Sequence, residues 1–313
     1  MNKTLKILIL TIFLIIALPV ITVKAADYNV EDYATLKGII SNDEANKTIV
    51  LTGDIVVTDD PGLTIKAEQE VILDLNGHTI SMESTKTATS YLIKNNGNLT
   101  IKDSTDTNKN GTGNGKITYL STVSSDSYAY ACNTISNYGT FVIESGIVEN
   151  NTSPAHADYC VDNYSNDSII KMNGGKLFSL KSWGIRMFVN SNTKGNDLEI
   201  NGGVIEGGVW LQAVNSQPKA NVTINNGTIS GNNYAFYIYD PTTNASNVNV
   251  KINGGRFNAN TENGYALYIF DTNENVEIND GYFEGYYALY YFTYNKSEQV
   301  TNVVNNGTFK RIL

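Results

Sequence analysis

Apolar and polar residues alternate in short runs that recur along almost the whole chain. Each run is an aliphatic pair around one residue, then Asn, a Gly-containing turn and another apolar residue. It reads Leu-Glu-Ile-Asn-Gly-Gly-Val-Ile at Leu198–Ile205 and returns at Val222–Ile229, Val250–Phe257 and Val276–Phe283. Looser copies cover Phe141–Val148, Ile170–Leu177 and Asn302–Phe309, and a variant, Leu-Asp-Leu-Asn-Gly-His-Thr-Ile, occupies Leu73–Ile80. The matched glycine falls at Gly146, Gly175, Gly203, Gly227, Gly255, Gly281 and Gly307, a spacing of 24–29 residues. A period in that range marks a stacked solenoid, and apolar spacing of two within each copy marks strands rather than helices. The pattern predicts an all-β parallel β-helix of roughly nine coils, about 40–45 Å long at one strand spacing per coil.

Within the repeated strand, Val250 and Ile252, or Val276 and Ile278, are expected to point inward. The residue between points out, reading Lys171, Glu199, Thr223, Lys251 and Glu277 across coils. The following Asn173, Asn201, Asn225, Asn253, Asn279 and Asn305 are expected to form an asparagine ladder, each amide bonding the copy above and below in a backbone that tolerates left-handed conformation.

A second strand lies upstream in each coil, at Tyr159–Tyr164, Trp183–Phe188, Tyr234–Tyr239, Tyr265–Phe270 and Tyr287–Phe292. Period two places Phe236, Leu267 and Leu289 inside, with Ile238, Ile269 and Tyr291. It turns Tyr237, Tyr268 and Tyr290 outward, beside Tyr239, Phe270 and Phe292. Six aromatics on one outer face of three successive coils exceed what solubility favours, which makes them the candidate ligand-binding residues.

The N-terminus precedes the pattern. Lys3 and Lys6, the apolar run Ile7–Ile21 and the small residues before Ala26 have the form of a signal peptide over residues 1–25, which implies a secreted or cell-surface protein. Pro19 and the short run disfavour a membrane span. Residues 26–66 are expected to form a cap and the first strands, and 67–313 the β-helix. In the cap, Glu31–Ile40 reads as a short helix with Tyr33, Leu36 and Ile40 on one face, followed by strands at Thr48–Leu51, Ile55–Thr58 and Leu63–Ile65. Such a helix would cover one open end of the core. The strand containing Val304 and Phe309 has no comparable cover, so end-to-end self-association or fraying is expected there.

The formal net charge of −9 falls to −12 without Lys3, Lys6 and Lys24. That acidity argues against nucleic acid or anionic membranes as partners.

At this point the sequence resembles the right-handed parallel β-helix proteins of the pectin-lyase-like superfamily, and among them secreted bacterial surface or adhesin-like proteins. The resemblance rests on the capping helix leading into Val71–Ile80 and on the coil motif, and right-handedness is what it implies, in agreement with the parallel crossover rule. The fold hosts lyases, hydrolases, adhesins and inert stalks. The polygalacturonases of this fold carry a Gly-His-Gly motif, where this chain has Gly77-His78-Thr79. The pectate lyases carry an acidic calcium cluster near a basic residue, whereas Arg186, Arg256 and Arg311 lie beside no such cluster.

Other candidate chemistry is sparse. Asp162 and Arg186 share an outward column and read as a surface ion pair. Asp240 and Asp271 follow the aromatic strand at matching positions; they suit an acid/base pair or Ca²⁺, but also simply start turns. Asp103–Gly115 contains half of a calcium loop but has Ile117 where the bidentate Glu belongs, and reads as a flexible insertion. With only His78 and His156, a transition-metal site is not expected. Cys132 and Cys160 lie about one period apart, which allows a disulfide, although their phase within the repeat differs and suits two separate buried thiols.

The resulting expectation is a non-catalytic, secreted β-helix that binds glycans or a surface partner through its aromatic face. The alternatives are a polysaccharide lyase or hydrolase near Asp240 and Asp271, acting on acidic polysaccharide, and a purely structural stalk.

Overall fold

The structure, a computed structural model, describes residues 25–312 other than 87, 123–130, 153–157, 166, 191–194, 215–218, 241–246, 272–274 and 293–302; of residues 240, 247 and 271 it describes the backbone alone. Residues 1–24, in the segment expected to be a signal peptide, and His156 lie outside the described residues.

The chain forms an all-β parallel solenoid of about eight turns, close to the number expected. Each turn gives one strand to each of three sheets, which contain eleven, ten and nine strands among the described residues. The first sheet runs from Ala26–Val30 to Val303–Val304, the second from Ile55–Val57 to Thr308–Arg311, and the third from Leu63–Ile65 to Tyr287–Phe292. All their pairings are parallel, and equivalent residues of successive repeats stand in register: Leu198 on Val222 on Val250 on Val276 in the first sheet, and Ile205 on Ile229 on Phe257 on Phe283 in the second.

These inward columns make one continuous core. Fully burying each such side chain contributes about 1.5–3 kcal/mol. Outward positions of the first two sheets carry ion pairs between coils, among them Lys171–Glu199 at 3.3 Å, Lys251–Glu277 at 3.5 Å and Lys176–Glu206 at 2.9 Å.

The asparagine ladder is present. Asn201, Asn225, Asn253, Asn279 and Asn305 each donate from Nδ2 to Oδ1 of the preceding rung at 2.7–3.0 Å, and Asn173 donates to Glu144 at 2.8 Å. These asparagines do not adopt left-handed backbone. That conformation belongs to the glycine two positions on, with φ +83° at Gly203, where an added Cβ would lie 2.7 Å from the carbonyl of Gly175. A second, buried asparagine column was not legible in the repeat: Asn95 donates to Asn137 at 2.8 Å, and Asn137 to Asn163 at 2.7 Å. Farther along, this inward column turns apolar at Met187, Leu211 and Ile238.

The N-terminal helix spans Tyr33–Ser41, with Asp32 as its N-cap, so the acidic pair precedes the first turn instead of occupying it. Leu36 and Ile40 are buried against Ile55–Val57 and Leu63–Ile65. An unforeseen strand, Ala26–Val30, pairs with Asn46–Leu51 ahead of the helix. At the other end Leu289 is 37 % exposed instead of buried, because Tyr287–Phe292 is the edge strand of the third sheet.

Two further expectations need correction, and the choice left open for the cysteines is decided. The segment Asp103–Gly115 is a pinned turn, not a flexible insertion. The Asp103 carboxylate is buried and accepts from Gly77 N, Thr105 N, Thr105 Oγ1 and Gly115 N at 2.7–3.0 Å, while Asp106 accepts from Gly111 N at 2.9 Å. Cys132 and Cys160 are buried free thiols. The register Ile135 on Val161 sets them two positions out of step, and burial pushes both thiol pKa values up. Finally, Asp162 and Arg186 are a buried pair, as described below.

Candidate functional site

The outward face of the third sheet differs from the other two. Register pairs Trp210 with Tyr237, Tyr237 with Tyr268 and Tyr268 with Tyr290 in one column. Tyr239, Phe270 and Phe292 stack in the next column, and Tyr234, Tyr265 and Tyr287 in a third. Parallel strands about 4.8 Å apart bring like residues to ring-contact distance. Centroids are 5.1 Å apart for Tyr237–Tyr268, Tyr268–Tyr290, Tyr239–Phe270 and Phe270–Phe292. In the third column they are 5.3 Å for Tyr234–Tyr265 and 4.7 Å for Tyr265–Tyr287.

The six residues expected from sequence are therefore together on one face, each half-buried against its neighbours instead of fully exposed. Tyr237 meets Tyr268 edge-on at 81°, whereas Tyr268 and Tyr290 lie at 17°. The face thus presents both ring edges and ring planes. Burial among the rings and the neighbouring phenols push the Tyr265 pKa up.

Sequence reasoning missed half of this surface. The strand Val209–Ala213 was not identified, although the 51-residue gap between the aromatic strands starting at Trp183 and Tyr234 is two periods. It places Trp210 within 5.6 Å of Trp183 and 6.4 Å of Tyr237. Below it, Phe188 stacks on Tyr164 at 4.8 Å, and Tyr164 tilts against Tyr138 at 6.3 Å.

In the two coils before Trp210, the same column holds the ion pair. Arg186 donates Nε and Nη2 to the two carboxylate oxygens of Asp162, both at 2.8 Å, and Asn133 also donates to Asp162. Their side chains are 12 % and 5 % exposed. The guanidinium carbon lies 4.3 Å from the Tyr159 ring centroid and 5.1 Å from that of Phe188, so aromatic faces shut out the water expected around a surface pair. Burial alone would lower the Arg186 pKa, but the Asp162 charge reverses this and holds it up.

Asp240 and Asp271 end adjacent strands in register, but their side chains lie outside the described residues. Among the described residues, no three His, Cys, Asp or Glu side chains converge as a metal site, and no helix is long and apolar enough to cross a membrane.

No protein-family model matches the chain, and no curated protein or solved structure matches it. The fold is that of a parallel β-solenoid.

Proposed function

We propose that the protein is a secreted, pectin-lyase-like β-helix that binds a glycan, or a glycan-bearing surface partner, through the aromatic face of its third sheet, without cleaving it. One contrast carries this reading. All three sheets stack the same coils, yet the first two present mainly ion pairs and amides outward, while the third presents columns of stacked rings. Stacking the coils does not demand aromatics, and outside the third sheet Phe178 and Tyr282 each lie under a cation, so the concentration of stacked rings on one face points to a ligand. Sugar C–H faces pack on such rings, and the roughly 5 Å coil repeat is comparable to the advance of a glycan chain by one residue. The competing explanation is mutual stiffening, at about 0.5–1.5 kcal/mol per ring pair.

The test is the triple substitution Tyr237→Ser, Tyr268→Ser, Tyr290→Ser, scored for melting temperature and for binding to a glycan array or cell surface. Binding is expected to be lost, while unfolding stays cooperative and the mean residue ellipticity is unchanged. A parent protein that binds nothing, together with a large fall in melting temperature in the variant, would make the rings purely structural.

The absence of turnover is predicted separately. Polygalacturonate incubated with the protein, with or without Ca²⁺, should give no new reducing ends and no unsaturated products. Turnover that disappears in Asp240→Ala or Asp271→Ala would replace binding by catalysis as the function.

A further inference from the structure

Beside the aromatic face runs a groove of about 520 Å³, whose origin is a difference in chain length at one corner of the solenoid. Between the second and third sheets, one coil crosses the corner through residues 180–184 and another, three coils on, through residues 260–264. The two coils between them cross with only Gly207-Gly208 and Asn232-Asn233. The short corners leave a notch two coils wide, about 10 Å, between longer neighbours. Gly207 and Gly208 make their corner possible: φ is +108° and +80°, and a Cβ on Gly208 would lie 2.4 Å from the carbonyl of Tyr234.

The walls of the notch have different chemistry. On one side stands Trp183, whose indole is 6.0 Å from the Tyr234 ring and 6.1 Å from Tyr237, so the notch opens directly onto the aromatic face. On the other side and the floor are the exposed amides Asn232, Asn233 and Asn260, with the Ser230 hydroxyl between. One aromatic wall facing several uncharged hydrogen-bonding groups suits a pyranose, which is apolar on its C–H face and carries hydroxyls at its rim. The notch carries one unbalanced charge, that of Lys181. Lys181 lines one wall, and Glu206 lines the floor while paired to Lys176 at 2.9 Å. The chain as a whole is acidic, at −9. Nothing there concentrates cationic groups for a carboxylated or sulfated sugar, and the overall field repels one.

We infer that this notch is the specificity subsite for a neutral glycan, seating one or two uncharged pyranose units against Trp183 while the rest of the chain follows the aromatic face. The inference rests on the glycan-binding reading above and adds to it where the sugar is selected and that it is uncharged.

The protein has two tryptophans, so Trp210→Phe leaves Trp183 as the sole indole reporter. The parent protein on a neutral-glycan array supplies the tightest oligosaccharide, which is then titrated, alongside an oligogalacturonate, into Trp210→Phe while Trp183 emission is followed. A saturable emission change is expected with the neutral sugar and none with the acidic one. Ser230→Phe, which fills the notch and leaves the aromatic face intact, should weaken affinity at least tenfold. Asn260→Ala, at an exposed position that does not endanger folding, should weaken it severalfold. Unchanged affinity in both variants, with binding still lost in the Tyr237/Tyr268/Tyr290 triple, would reject the notch and keep the face. Preference for the acidic oligomer would reject the neutral-sugar assignment. No binding to any glycan, neutral or acidic, would reject both.

Discussion

Arg186→Met is expected to destabilise the protein by about 3–5 kcal/mol, because it leaves Asp162 charged and buried with a single amide donor from Asn133. The loss comes less from the ion pair's own attraction than from stranding a carboxylate where water cannot reach it. Asp162→Asn combined with Arg186→Met should therefore recover much of the stability, since the neutral pair has no buried charge to solvate. Denaturant unfolding of the parent, both single variants and the double variant gives the coupling directly. A double variant no more stable than Arg186→Met would show that Arg186 acts by packing its stem and guanidinium among Tyr159, Tyr164 and Phe188.

Asp103→Ala is expected to have a comparable effect, about 3 kcal/mol or more, by a different route. Four donors converge on this carboxylate from Gly77, Thr105 and Gly115, so the side chain ties the turn of one coil to the loop of the next. Removing it leaves several partly buried N–H groups without an acceptor. Burial pushes the Asp103 pKa up, but the bonds from Thr105, Gly115 and Gly77 outweigh it and hold the carboxyl below its usual range. A carboxyl that is more acidic when folded contributes its stability above the unfolded value near 3.9 and loses it as pH falls through the folded value. The gap between parent and Asp103→Ala should thus be full at pH 7 and shrink on acidification below about pH 4. A gap independent of pH across that range would refute the charged role.

What the sequence disclosed and what it hid follow from the range of the interactions. Columns such as Val250 on Val276, and Tyr268 on Tyr290, were legible because parallel register converts a one-dimensional period into a stack. The ladder asparagines were legible for the same reason. Where the period was disguised, reading failed: the strand bearing Trp210 follows the short Gly207-Gly208 corner and escaped notice. Burial of the Asp162–Arg186 pair depends on Tyr159, Tyr164 and Phe188 closing over it, which no column rule indicates. Asp103 looked like part of a loose loop because its partners lie as far away as Gly77, in the preceding coil. The notch was invisible for a related reason, since it is made by residues that two corners lack.

The asparagine ladder also gives the solenoid a direction. Every rung from Asn305 to Asn201 donates toward the N-terminal end, and Asn173 ends the series on the carboxylate of Glu144. The six amide dipoles therefore add head to tail, with their positive ends facing an anion. Turning over any single amide would set two N–H groups, or two oxygens, against each other, so the rungs hold one orientation collectively. A chain whose backbone strands touch only their nearest neighbours thereby acquires a polarised thread that couples six coils, each bond strengthening the next.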